Sequence, residues 1–293
     1  KVGVAPEVNP VFVLCADPYT CQPEKLVGEL NATFPGRPMI GGLVSGGHEP
    51  GEHVVVLDTR VFREGAVGVA LTGDITLDTI VSQGCRPIGR PYVVTQAEDN
   101  VIWHLGGRQA LEVLHEALFG LSAEDRELAQ QGAIVIGLVI DEMRSRFAVG
   151  DFLIRQLVDL DPNTGAIAVA DQVQVGQTIQ FHLRDASASR EELRRLLARQ
   201  HERAPHVPPA GALVFNCLSR GKAFYGTSHH DIRTIQMFNG KLPVGGFFAN
   251  GEIGPVGGTN FLHGFTASVG FFRPVDLSAS RPPPGAESGG GAS

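Results

Sequence analysis

Two stretches far apart in this chain follow one plan, and that plan constrains the fold more than any other feature. Phe12-Val13-Leu14-Cys15 and Leu213-Val214-Phe215-Asn216-Cys217 are apolar runs that end in a thiol, the pattern of a strand buried on both faces. Each leads through a polar loop into a helical pattern, and each helix gives way to a strand built on paired glycines. These are Pro38-Met39-Ile40-Gly41-Gly42-Leu43-Val44-Ser45-Gly46-Gly47 in the first copy and Pro243-Val244-Gly245-Gly246-Phe247-Phe248-Ala249-Asn250-Gly251 in the second. The double-glycine stretches superpose without a gap. A unit present twice is a duplication, not a solenoid. The expectation is a mixed α/β (α+β) fold of two related lobes, with mixed and antiparallel sheets sandwiched by helices. If the lobes pack about a pseudo-twofold axis, a cleft between them is the natural ligand site. It would bring Asp17, Ser45 and His48 to Asn216, Arg220, Asn250 and Glu252.

The octapeptide Ser82-Gln83-Gly84-Cys85-Arg86-Pro87-Ile88-Gly89 has no counterpart in the second copy. Gly84 and Gly89 permit positive φ or close approach to a ligand, Pro87 stiffens the turn, and Arg86 offers a planar fork suited to a carboxylate. Gln83, Cys85, Arg86 and Gly89 are therefore candidate ligand contacts. The competing reading is a Gly/Pro turn that packs its own loop or bridges the lobes.

Elsewhere the periodicity predicts a helix over 22–33, strands over 39–44, 54–57 and 67–71, and a hairpin of 92–95 with 101–105 around Glu98-Asp99-Asn100. Leu111, Leu114, Leu118 and Leu121 recur at helical spacing, and Ser122 with Asp125 and Ser189 with Glu192 resemble capping boxes. Apolar runs over 134–140, 152–160, 167–173 and 179–183 predict a block of antiparallel sheet, with a reversal at Asp161-Pro162-Asn163-Thr164-Gly165. The final strand alternates through Phe265, Ala267, Val269 and Phe271. Domain limits are expected at 1–175 and 176–273, with 274–293 too poor in apolar residues to fold.

At 43% hydrophobic residues the chain can bury a full core. A net charge of −7 argues against a nucleic-acid surface, and the basic cluster Arg190, Arg194, Arg195 and Arg199 is interleaved with Glu191 and Glu192 as on a solvated helix face. No apolar run reaches the roughly 20 residues of a membrane span, so the expectation is a cytoplasmic protein without membrane or nucleic-acid partners. Cys15, Cys21, Cys85 and Cys217 are too scattered for a disulfide framework or a paired-cysteine zinc site.

The ordered series Leu14-Cys15-Ala16-Asp17-Pro18, Gly41-Gly42-Leu43-Val44-Ser45-Gly46, Gly65-Ala66-Val67-Gly68-Val69-Ala70-Leu71 and Gln83 to Gly89 resembles the FIST family. So do Asn100-Val101-Ile102, Val214-Phe215-Asn216-Cys217 with Arg220-Gly221, and Gly246-Phe247-Phe248-Ala249-Asn250-Gly251-Glu252-Ile253-Gly254-Pro255. The resemblance implies an N-terminal-type module that opens near its middle, followed by a C-terminal-type module. It also implies a non-catalytic sensory role: a small ligand, an amino acid by preference, is bound and the signal passes to a histidine kinase, cyclase or chemoreceptor. Arg86 would then hold an α-carboxylate, and Glu252 or Asp17 an α-ammonium. Three alternatives stay open. A non-covalent haem sensor of nitric oxide would use an exposed His182, His230 or His263 as axial ligand. An interaction module of the F-box adaptor type would need no small ligand. A thiol hydrolase would use Cys217 with His229-His230 and Glu252.

Overall fold

The computed structural model describes residues 2–203 and 206–275; of the tail expected at 274–293, Pro274 ends the last strand and residues 276–293 lie outside the described residues. The first copy runs β1 (Val11–Ala16), α1 (Pro23–Thr33), β2 (Met39–Leu43), the hairpin β3 (Val55–Leu57) and β4 (Arg60–Phe62), β5 (Ala66–Leu71) and β6 (Ile75–Ser82). A middle block follows: β7 (Cys85–Glu98), β8 (Val101–Leu105), β9 (Arg108–Gln109), α2 (Ala110–Phe119), α3 (Ala123–Leu128), β10 (Ile134–Val139), β11 (Phe152–Asp161), β12 (Ala166–Val169) and β13 (Thr178–Arg184). The second copy is α4 (Ala186–Arg203), β14 (Gly211–Cys217), α5 (Lys222–Tyr225), α6 (His230–Asn239), β15 (Val244–Ala249), β16 (Glu252–Val256), β17 (Thr259–His263) and β18 (Ala267–Pro274).

The duplication is real, and the strand pairing fixes its register. β1 pairs parallel with β2 and antiparallel with β5, while β14 pairs parallel with β15 and antiparallel with β18. The Phe12 N–H donates to the Pro38 carbonyl at 3.0 Å, and the Ala212 N–H to that of Pro243 at 2.9 Å. Leu14 therefore faces Gly41, and Val214 faces Gly246. The stretches that open at Pro38 and Pro243 thus superpose without a gap, with Gly41 matching Gly246, the second glycine of its pair; the two thiols do not correspond, because Cys217 matches Asp17 rather than Cys15. The physical reason is close approach. A Cβ on Gly41 would lie 2.0 Å from the Leu14 carbonyl oxygen, and one on Gly246 would lie 1.9 Å from that of Val214.

Each copy lends strands to the other. The five-stranded sheet has the order β17-β16-β2-β1-β5, and the four-stranded sheet the order β15-β14-β18-β6. Alternation along the central strands sorts the core into layers. Phe12 and Leu14 meet Val27, Leu30 and Phe34 of the α1 side, while Val13 and Cys15 meet Leu213, Phe215 and Phe247 between the sheets. Ala212 and Val214 meet Leu193 and Leu197 of α4 and Ile235 of α6. The result is helix, sheet, sheet, helix.

The middle block is antiparallel, as its alternation predicts. It also closes: β8 pairs with β12 as well as β7, so β7, β8, β12, β11, β10 and β13 form a ring. Ile102, Ile136, Ile167, Ile179 and Phe181 fill it, with α2 contributing Leu111, Val113 and Leu114; closure removes the exposed edges an open sheet would leave. The residue-175 boundary falls between β12 and β13 of this ring. The Ser122 cap is present, its hydroxyl accepting from the Asp125 N–H at 3.1 Å. The Ser189–Glu192 box is not. Both lie inside α4, whose start is capped by Asp185, accepting from the N–H groups of Ser187 and Ala188.

Gly41→Ala and Gly246→Ala should each destabilise by about 3 kcal/mol, as overpacked sites do. Gly28→Ala in α1, where an added Cβ meets nothing within 4 Å, should stabilise by about 0.5–1 kcal/mol. Urea midpoints at constant m-value check all three.

Candidate functional site

The octapeptide is a structural junction, and Arg220 explains it. Arg220 ends a short 3-10 turn after β14 and is buried. Its guanidinium donates to Asp231 at 3.2 Å and to the Ser82 carbonyl at 3.3 Å. Burial works against the charge, but Asp231, Tyr225 and Glu192 together outweigh it and hold the pKa above its usual value. Gly84 has φ +70°, and a Cβ there would lie 2.5 Å from Nη1 of Arg220; only glycine leaves room. The Ser82 hydroxyl and the Gly84 N–H both donate to the buried Glu192 carboxylate of α4, each at 2.9 Å. First copy, barrel and second copy meet at this point.

Other residues of the octapeptide are similarly engaged. Cys85 opens β7 instead of lying in a loop, and burial pushes its thiol up. Arg86 donates to Asp185 at 2.8 Å and also to Asp125, so its fork already holds two carboxylates of this chain. Gln83 donates to the Phe152 carbonyl. Gly89 has φ +63°, and its carbonyl accepts from Gln180 at 3.0 Å.

The glycine strands do converge, but they pack tightly. Ser45 donates to the Phe248 carbonyl, the Asn250 N–H donates to the Leu43 carbonyl at 3.0 Å, and Leu43 N–H to that of Gly251 at 2.8 Å. The Asn250 side chain is exposed. Asp17 is buried and bound by Thr20 and by Nδ1 of His53 at 2.8 Å, while Nε2 of His53 accepts from the Gly47 N–H at 3.0 Å. Tyr19 stacks on that imidazole, with centroids 5.6 Å apart. Glu252 is fully buried and accepts from the Thr266 N–H and hydroxyl. Burial pushes its carboxyl up to about 8.

The open space lies elsewhere. A cavity of about 650 Å³ runs along β15 from Val244 to Phe248, past the C-terminal half of β14, against the start of α6. Asn216 and Arg220 are the candidate residues that line it. Lys222, Ser228, His229, Phe247 and Phe248 also belong to its wall. Strand alternation explains the split at β14: Asn216 points with Val214 toward the helix side and Cys217 with Phe215 toward the other lobe. Asn216 is 8% exposed, and its Oδ1 has no hydrogen-bond partner among the described residues. The α6 start has no side-chain cap, and its N-cap residue His229 adopts φ +60°, a conformation that costs of order 1 kcal/mol outside glycine. Free N–H groups at a helix start favour an anion.

The histidines and the thiol sit differently from the roles considered for them. His182 and His263 are buried rather than exposed, bonded to the carbonyls of Gln180 and Gly254, and burial lowers each to about 4. His230 borders the cavity, but it stacks on Tyr225 at 3.9 Å and bonds Asp231 at 2.9 Å. Burial, and then Glu252, pushes the Cys217 thiol up, opposite to what a nucleophile needs. Among the described residues no group of three or more His, Cys, Asp or Glu side chains could hold a metal ion, and no helix is long and apolar enough to cross a membrane. The sequence does signal the missed wall residues: Gly221-Lys222 and Thr227-Ser228 stand between a buried strand and a helix, the usual place for an anion site.

Comparison with known proteins agrees with this architecture. Residues 4–108 match the FIST N domain and residues 110–255 the FIST C domain. The two matches meet at β9, where the chain enters α2. This chain belongs to the FIST family, whose domains are sensory modules of signal transduction. It is 45% identical over 262 residues to the uncharacterized protein Rv0628c of Mycobacterium tuberculosis, covering 89% of this chain and 68% of that protein. The same identity over 262 residues relates it to the uncharacterized protein Mb0898c of Mycobacterium bovis, of which 67% is covered.

Glu252 makes a pH prediction. Its folded pKa lies above the unfolded value, so the stability it contributes is present below about pH 4.5 and is lost as pH rises through about 8. Glu252→Gln should remove that loss, so that the variant gains in melting temperature over the wild type between pH 5 and pH 8. Scanning calorimetry of both proteins across that range checks it.

Proposed function

We propose that this chain is a cytoplasmic, non-catalytic sensor whose ligand, an amino acid, binds in the cavity between β14, β15 and α6. The observation that carries the reading is Asn216: a buried acceptor without a partner, on the wall of an open cavity. Leaving such a group unsatisfied costs about 1–3 kcal/mol, a cost a ligand ammonium would relieve. The ligand carboxylate would take Lys222 and the uncapped N–H groups at the start of α6, and its side chain would lie on Val214, Phe247 and Phe248. Arg220 borders the same cavity and reaches Ser82, so occupancy would be felt at the lobe junction. From there it would pass to a histidine kinase, cyclase or chemoreceptor. The raised Cys217 thiol supports binding without chemistry.

Asn216→Leu separates this reading from a structural one. The variant should be more stable than the wild type by about 1 kcal/mol without ligand, because an unsatisfied acceptor is replaced by an apolar group of similar size. It should also lose the stabilisation of about 2.7 kcal/mol expected for the wild type at 100 times the dissociation constant of its amino acid. Thermal shift against the free amino acids reads both effects, with Arg86→Ala retaining the response. No response in the wild type, or a response unchanged in Asn216→Leu, overturns the assignment.

A further inference from the structure

Among the described residues β15 pairs on one side only, with β14. Its counterpart β2 carries β16 on the other side, Gly41 opposite Ile253 and Gly42 opposite Glu252. Accordingly β2 is buried throughout, whereas Gly245, Gly246 and Phe248 are exposed. Because the Pro243 carbonyl accepts from Ala212, alternation turns the N–H and C=O groups of Val244, Gly246 and Phe248 toward the open side. Ser45 satisfies the Phe248 carbonyl; the edge is otherwise a template for another strand.

The chain also holds a hairpin without a sheet. β3 and β4 turn on Asp58-Thr59 as β16 and β17 turn on Gly257-Gly258. Each hairpin follows the glycine strand of its copy and precedes the strand antiparallel to β1 or β14, so β3–β4 is the first copy's equivalent of β16–β17. Yet β3–β4 is a two-stranded sheet by itself, marginal in isolation, and it leaves Val54, Val56, Leu57 and Val61 exposed, Val61 at 63%. The His53 bonds to Asp17 and Gly47 hold its root beside the end of β1. Charges match as well. Residues 49–64 carry Glu49, Glu52, Asp58 and Glu64 against Arg60 and Arg63, while Lys222 borders the cavity along β15 and Lys241 lies in the turn that leads into that strand.

We propose that two copies of this chain pair reciprocally, the β3–β4 hairpin of each adding antiparallel to the β15 edge of the other, as β16 adds to β2. The contact is isologous, each copy giving a hairpin and taking one. It continues into the second sheet a mode of pairing already built into the first, and it does not depend on the identity of the ligand.

Sedimentation equilibrium of the full chain tests this with two variants. Val244→Pro removes an N–H that faces away from β14, a position where an edge strand tolerates proline. Val56→Asp/Val61→Asp places charge on two exposed hairpin positions. The wild type should sediment at twice the mass of one chain, and both variants at the mass of one chain with melting transitions as cooperative as the wild type's. A wild type at single-chain mass throughout, or a dimer that survives either substitution, overturns the proposal.

Discussion

A single buried guanidinium pins the point at which the two copies and the middle block meet. Arg220 leaves the end of β14, passes through the space that Gly84 keeps open, and is neutralised by Asp231. A charge so buried is tolerated only when paired and fully bonded, and stripping away one partner of such a pair typically costs about 3–5 kcal/mol. Glu192 completes the arrangement, since it gathers the Ser82 hydroxyl and the Gly84 N–H from the opposite side. The strand exchange between the copies, β16 onto β2 and β6 onto β18, surrounds this point. The lobes are therefore neither independent nor free to slide.

Duplication made two equivalent crevices, and they have diverged. At the end of β1 the place of Asn216 is taken by the buried Ala16, and Asp17 is satisfied by Thr20 and His53 of its own lobe. At the end of β14 the corresponding space is open, and its polar group lacks a partner. One copy is closed by its own side chains, and the other keeps a cavity open.

Much of the fold was legible because it rests on periodicity. Apolar runs gave the paired strands, alternation gave the antiparallel block, and Ser122 with Asp125 marked a true helix start. The register of β1 against β14 was not legible, because Cys15 and Cys217 look alike as letters although Cys217 matches Asp17. Barrel closure was hidden for a similar reason, since β8 and β12 are distant in sequence. Two residues that border the cavity, Asn216 and Arg220, were among the candidates the sequence offered. Arg86 misled because composition reports a guanidinium's capacity but not its occupancy, and Asp125 and Asp185 come from remote elements. His182 and His263 misled in the same way, as polar letters that the fold buries.

The junction at Arg220 is tested most directly by a double-mutant cycle between Glu192→Gln and Asp231→Asn, measured as unfolding free energies. The two carboxylates lie on different helices and share the Arg220 charge. The structure predicts that the two losses couple by about 1–3 kcal/mol, whereas independent sites add to within about 0.5 kcal/mol. Additivity would contradict the account, because Arg220 would then not couple the two carboxylates at the junction.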